Sequence, residues 1–294
     1  MPSLKILLTR GTAQAITAAS IPDYLFQQFN VEKHPSLPTA AVMALGESLP
    51  VNNDIWLHCQ PVHLQADHKA AYLIESITLR DNEADSLRHL LNGFLEPLSM
   101  SITVSPAGNW YLHGASIPPL TAIPVDAAIG KNLSGLLPRD TQGAFWRTLF
   151  TEIQMLLHTS DVNHTRRMAG DLDVNGLWFW GAGKLPVVHH NHWQTIWSDD
   201  PLATGLGGLS GVKVETLPRD YSVCEFPEPG KYLMVLSERQ LPQLEDAWLK
   251  NALRSLRLGQ ITELTVYWGG ARQVQLTKSL LSRWWRRRQQ IGID

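Results

Sequence analysis

Asn163, Arg166 and Arg167 place an amide beside two guanidinium groups, a combination that recognises phosphate or carboxylate oxygens through paired hydrogen bonds. Shortly after them Asn175 leads into Gly176-Leu177-Trp178-Phe179-Trp180 and then Gly181-Ala182-Gly183-Lys184. A glycine turn directly after a strand exposes backbone N–H groups that can cradle an anion, with a lysine as counter-charge. Asn163, Arg166, Arg167, Asn175, Trp178, Trp180, Gly181, Gly183 and Lys184 therefore form a candidate anion site, its walls shaped by the two indoles. The competing reading is structural: a plain turn after the strand, preceded by a charged surface loop.

Other chemistry-bearing residues are weaker candidates. His189, His190 and His192, with His113, His158 and His164 elsewhere, could ligate a metal. Neighbouring histidines in a loop point in different directions, however, and no cysteine or carboxylate stands at ligand spacing beside them. His58, His63 and His68, with Asp67, could meet across a hairpin. No metal site and no cofactor is expected. Gly205 to Gly211 has the wrong order of glycines for a dinucleotide fingerprint and reads as a turn and helix start. No Gly-x-Ser-x-Gly elbow presents a nucleophile, so no catalytic residue is nominated.

At the C-terminal end Arg283, Trp284, Trp285, Arg286, Arg287 and Arg288 interleave cations with indoles. That pattern suits phosphate contacts and base stacking, a membrane surface, or a solvated helix end whose basic groups complement the macrodipole.

The elements that must position these groups come from a chain of 294 residues with 44% hydrophobic content, enough for a substantial core in one large domain or two intertwined ones. Twenty-five basic against 27 acidic residues leave a formal charge of -2, so no whole-molecule field draws the protein to nucleic acid or an anionic surface. Cys59 and Cys224 are far apart, and Met1-Pro2-Ser3-Leu4-Lys5-Ile6 lacks the pattern of a signal peptide. A reduced, cytoplasmic protein is expected. Apolar runs are too short to span a bilayer.

Hydrophobic spacing predicts a strand over Leu4 to Thr9, a helix from about Thr12 to Phe29 and a short helix over Thr39 to Leu45. Ile55 to His58 and Ala71 to Ile74 read as a hairpin joined by Gln60 to Asp67. A helix over Asp85 to Leu95, capped by Asp81 or Asp85, precedes a second hairpin of Ile102 to Val104 and Trp110 to His113. Val125 to Ile129 looks helical, and Thr141 to His158 places Phe145, Leu149, Ile153, Leu156 and Leu157 on one face. Asp161 to Gly170 is polar. Strands follow at Gly176 to Trp180, Tyr232 to Leu236 and Glu263 to Trp268, with a helix over Pro242 to Leu256, an alternation that suggests a parallel sheet.

Three stretches resemble a known family. Leu156-Leu157-His158, Asn163, Arg166, Arg167 and Val174 to Pro186 are similar to a segment shared by archaeal-type cofactor-independent phosphoglycerate mutases and the RpfE-type bacterial regulatory proteins. Trp56 to Asp67 and Asp199 to Leu206 extend the similarity, most closely to the regulatory group, over most of residues 54 to 211. The resemblance implies an α/β fold: an alkaline-phosphatase-like core sheet, residues 1–50 and 172–294, with an inserted α+β subdomain over 51–171.

The mutases of that family hold two divalent metals through an Asp after the first strand, a Ser nucleophile, an Asp-x-x-x-His segment and a late Asp-His pair. Here Leu8-Thr9-Arg10-Gly11, Ser237-Glu238-Arg239-Gln240 and Gly269-Gly270-Ala271-Arg272 stand where those ligands are expected. Two-metal chemistry needs carboxylate and imidazole ligands to fix both cations. The expectation is a degenerate, regulatory member whose partner is a small anion or another protein. The alternatives are an active mutase and a nucleic-acid accessory protein.

Overall fold

The computed structural model describes residues 1–32, 36–66, 70–137, 141–189 and 192–282. In chain order they form α1 (Pro2–Arg10), β1 (Thr12–Ala15), α2 (Ile21–Gln28), α3 (Thr39–Gly46), β2 (Ile55–Ala66), β3 (Ala71–Ser76) and α4 (Asp81–Leu95). Next come β4 (Met100–Val104), β5 (Trp110–Gly114), α5 (Val125–Ala128), α6 (Thr141–His158), α7 (Asp161–Ala169) and β6 (Gly176–Gly183). The last part holds β7 (Trp193–Ser198), α8 (Pro201–Ser210), β8 (Lys213–Glu215), β9 (Lys231–Val235), α9 (Lys250–Leu258), β10 (Glu263–Val266), β11 (Arg272–Thr277) and α10 (Lys278–Leu281). The protein is mixed α/β. Its contacts divide it into a unit of Glu32–Val187 and a unit of Met1–Val31 with Val188–Asp294.

The Glu32–Val187 unit is organised by β2, whose length lets it pair with three strands. Its first half meets β5, with His58 opposite Tyr111, and its second half meets β3. Along its other edge β6 runs antiparallel, with Trp56 opposite Gly183 and Val62 opposite Gly176. Alternation along β2 then gives the sheet two unlike faces. Leu57 and Cys59, with Leu112, Leu177 and Phe179, join a core made with Leu87, Leu91 and Leu95 of α4 and Trp146, Leu149, Ile153 and Leu157 of α6. Those helical positions recur every three or four residues, so each helix buries one stripe. Fully burying one such side chain is worth about 1.5–3 kcal/mol.

The opposite face carries rings and polar groups. His58 stacks on Trp180 at 4.1 Å, and Trp56 stacks on His113 at 4.3 Å. One end of this face is covered by α3, whose Ala40, Ala41 and Ala44 let the helix lie close on Trp56 and Tyr111. The other end is covered by Val125, Ala128 and Leu133, packed on Val62, Leu64 and Trp178.

In the other unit, β8, β7 and β9 form a parallel sheet in that order, and β1, β11 and β10 form an antiparallel one. Leu7 of α1 and Leu253 and Leu256 of α9 are buried in one core cluster with Val274 and Leu276 of β11.

Several expectations are corrected. Leu4 to Thr9 is helical, because Leu4 and Leu7 are spaced to share a helix face, and a short apolar run fits strand and helix alike. The helix expected over Thr12 to Phe29 is β1 followed by α2, which starts where Ser20 Oγ accepts from Asp23 N at 3.2 Å. Most of the connection expected over Gln60 to Asp67 is the second half of β2. Helix α4 begins after Arg80, whose N–H donates to the Glu83 carboxylate, rather than behind an Asp cap. The polar stretch Asp161 to Gly170 is α7, capped by Ser160 and closed by Gly170 at φ 79.

Gly181 to Gly183 continues β6. The strand Glu263–Val266 lies in the antiparallel sheet, not the parallel one. The helix expected over Pro242 to Leu256 is α-helical only from Lys250, in α9 (Lys250–Leu258); Pro242 sits in a preceding 3₁₀ segment, followed by a π-helical turn. Strand β6 is paired with β2, and the compact unit that holds both runs from Glu32 to Val187.

Candidate functional site

The residues nominated between 163 and 184 are held by the protein's own chain. Asn163 is fully buried; its Nδ2 donates to Leu157 O at 2.8 Å and Val174 O at 2.7 Å, and its Oδ1 accepts from Val174 N at 2.8 Å. Asn175 uses its amide as a strand would, donating to Leu64 O and accepting from Leu64 N. Arg166 is buried and donates from Nη1 to both oxygens of Glu83, at 3.0 and 2.9 Å, and from Nε to Leu172 O at 2.7 Å. Asn163 and Arg166 latch α7 to α4 and the approach to β6, and Asn175 ties that approach to β2. Arg167 lies on the solvent side, paired with Asp173 at 2.6 Å.

The expected charged surface loop is thus a helix with two of its polar side chains turned inward. Trp178 and Trp180 point to the ring-bearing sheet face, where their indole N–H groups donate to Ile123 O and Gln60 Oε1. The glycines face filled space. A Cβ on Gly181, at φ +68, would sit 2.1 Å from Thr39 Oγ1, and one on Gly183 would sit 2.5 Å from Pro38 Cβ. Both positions allow α3 and its leading proline to approach β6, as Gly does wherever backbone must come close. They form no open anion cradle. Lys184, just beyond, is exposed.

Sequence reasoning missed a second polar group on this face. His58 Nε2, Trp56 Nε1 and Thr39 Oγ1 are all buried and have no hydrogen-bond partner among the described residues. Burial lowers the His58 pKa to about 3, which keeps the ring neutral. Beside it Tyr111 donates to Glu47 at 2.9 Å, and burial followed by the nearby Glu47 charge raises the phenol's pKa. His113 hydrogen-bonds Thr103 Oγ1 through Nε2 at 2.9 Å; burial lowers its pKa against an opposing pull from Asp54. Only the alternation of Trp56 and His58 along one strand face hinted at this cluster.

Histidines expected as metal ligands are dispersed. His63 Nδ1 lies 2.9 Å from Asp173 O, away from His58, and His68 and His190 fall outside the described residues. Among the described residues no group of three or more His, Cys, Asp or Glu side chains could hold a metal ion. The glycine-rich stretch 205–211 is the body and C-terminal end of α8, where a Cβ on Gly207 would meet Val214 Cγ2 at 2.3 Å. Arg283, Trp284, Trp285, Arg286, Arg287 and Arg288 also lie outside the described residues.

Enzymes built on parallel sheets gather their reacting groups at the carboxyl ends of the strands. Here Ser198 Oγ accepts from Asp200 N, and Asp200 Oδ1 accepts from Leu202 N and Ala203 N to cap α8. Asp199 Oδ1 accepts from Leu217 N at 3.1 Å, and Glu215 accepts from Trp197 Nε1 at 2.7 Å and pairs with Lys213. No helix among the described residues is long and apolar enough to cross a membrane.

No family model matches the chain, and no curated protein does. Among solved structures it is similar to the cofactor-independent phosphoglycerate mutase from Thermoplasma acidophilum DSM 1728, at 16% identity over 94% of this chain and 82% of that one, with a TM-score of 0.47. It is also similar to the PH0037 protein from Pyrococcus horikoshii, at 14% identity over 94% of this chain and 79% of that one, with a TM-score of 0.48.

Proposed function

We propose that this chain is a binding protein of the phosphoglycerate-mutase-like kind that lacks the family's two-metal phosphotransfer chemistry and acts in regulation, through a small anion or a protein partner. In this reading the Glu32–Val187 unit is the inserted subdomain and the parallel strands β7 to β9 are what remains of the catalytic sheet. The observation that carries it is the state of the carboxylates at the sheet's carboxyl edge. Asp199 and Asp200 are bound to backbone N–H groups, one across to Leu217 and one at the helix start. The Asp200 carboxylate so engaged serves as a cap, and giving up those bonds at the helix start would cost about 0.5–2 kcal/mol.

The resemblance of residues 54 to 211 to the RpfE-type regulatory proteins supports the same reading, as does the absence of the family's ligand residues from the sequence positions that should carry them. The test is metal analysis of the purified protein, together with a mutase assay with and without manganese. No turnover and no stoichiometric metal are expected. Turnover with bound metal in stoichiometric amount would overturn the reading in favour of an active mutase.

A further inference from the structure

We propose that the buried N-terminal end of α3 is an oxyanion site, where a carboxylate or phosphate oxygen is received by Thr39, Trp56, His58 and the helix's own amides. This deepens the binding role proposed for the chain and moves its contact away from residues 163–184. The helix starts behind Pro38, which supplies no side-chain cap. Thr39 N–H reaches Leu37 O, and Val42 N–H reaches Pro38 O. The amides of Ala40 and Ala41 between them find no acceptor among the described residues, and both residues are fully buried. A helix end buried in this state is unusual, because each unmet donor costs about 1–3 kcal/mol.

Two of the unpartnered side chains, those of Thr39 and His58, meet at the same end. The point that a Cβ on Gly181 would occupy lies 2.1 Å from Thr39 Oγ1, 3.1 Å from His58 Cδ2 and 3.5 Å from Ala40 N. His58 Cδ2 is bonded to Nε2, the unpartnered nitrogen. Trp56 packs against Ala40, Ala41 and Ala44 on the adjacent turns. Thr39 is 6% exposed, Trp56 2% and His58 3%.

Every one of these groups can donate. An indole N–H and a backbone amide can do nothing else, the threonine hydroxyl rotates to suit, and a neutral imidazole carries its proton on either nitrogen. A water accepts two hydrogen bonds, fewer than the donors present, whereas an oxyanion accepts several and also gains from the positive end of the helix dipole. The half-buried Trp180 ring, stacked on His58, forms the outer wall and reports on occupancy.

Inorganic phosphate and acetate, titrated separately into the full chain at ionic strength held constant with sodium chloride, provide the test. A saturable rise in melting temperature with a change in tryptophan fluorescence is expected, and the tighter of the two arms assigns the site to phosphate or to carboxylate. Thr39→Val and His58→Phe should each weaken binding about tenfold or more, the effect of losing one hydrogen bond to a charged group. Thr39→Ser and His58→Gln, which keep a donor, should retain most of it, and melting without anion checks that each variant folds. No saturable response beyond the chloride control, a response that Thr39→Val and His58→Phe leave intact, or one abolished instead by Arg167→Ala would overturn the assignment. Mutase turnover would undo the degenerate-protein reading without touching this result, so the two can fail separately.

Discussion

Replacing Arg166 with Met tests whether the arginine nominated from sequence is a ligand or a structural group. Its guanidinium and the Glu83 carboxylate are each 8% exposed at the side chain and meet at 2.9 Å. Cutting a buried ion pair at one partner costs about 3–5 kcal/mol, because the surviving charge stays buried without its counter-charge. Two features pull in opposite directions here. Glu83 would keep the Arg80 guanidinium at 3.1 Å and the Arg80 backbone N–H, which softens the loss, although that guanidinium is 64% exposed. Leu172 O would lose its donor, which adds about 1 kcal/mol. The expected loss for Arg166→Met is therefore about 3 kcal/mol, read as a lower urea midpoint at unchanged slope. Glu83→Leu in the same background should recover at least half of it, since a buried ion pair replaced as a whole by apolar side chains is often close to neutral. A single-variant loss below about 1 kcal/mol, or no recovery in the double variant, would refute the assignment of Arg166 to a structural latch.

Acid should weaken the fold through His58. Its folded-state pKa, about 3, lies below the ordinary imidazole value of 6.5, so the stabilisation is complete above pH 6.5 and is lost as the pH falls toward 3; between pH 7.5 and 5 the loss is about 2 kcal/mol, and His58→Phe should flatten that part of the profile in urea titrations. The two neighbouring glycines of α8 should respond oppositely to alanine. Gly207→Ala drives a methyl into Val214 and should lower stability by about 1–3 kcal/mol, whereas at Gly208 a methyl meets nothing within 4 Å and should raise it by about 0.5–1 kcal/mol. Equal effects in thermal melts would show that α8 does not pack as described.

Legibility in the sequence followed the range of the forces involved. Helices α3 and α6 and the hairpin of β4 and β5 were readable because their periodicity is local. Helix α1 was not, since a run such as Leu4 to Leu8 has no strict period and its partners Leu253 and Val274 lie at the far end of the chain. Helix α7 looked like a loop for the opposite reason. Asn163 and Arg166 are polar yet buried, and only Val174, Leu172 and Glu83, met in three dimensions, make that burial tolerable. Gly181 and Gly183 read as a turn able to cradle an anion because nothing local says that Thr39 and Pro38 fill the space over them.

The same contrast separates structure from binding across the molecule. A buried polar group whose hydrogen bonds are complete has no capacity left for a ligand, and displacing its partners would cost about as much as the ligand could return. Asn163 and Arg166 are in that state, the half-buried Asn175 spends its amide on Leu64, and Asp199 and Asp200 at the edge of the parallel sheet each spend one carboxylate oxygen on backbone N–H groups. Thr39, Trp56 and His58 are in the other: desolvated, rigidly packed and incomplete. Donors held in place before a ligand arrives need little reordering when it binds. An arginine-rich sequence draws attention to charge, but charge already neutralised by Glu83 and Asp173 recognises nothing further. Neutral donors at a helix start keep their recognition capacity because no side chain among the described residues answers them.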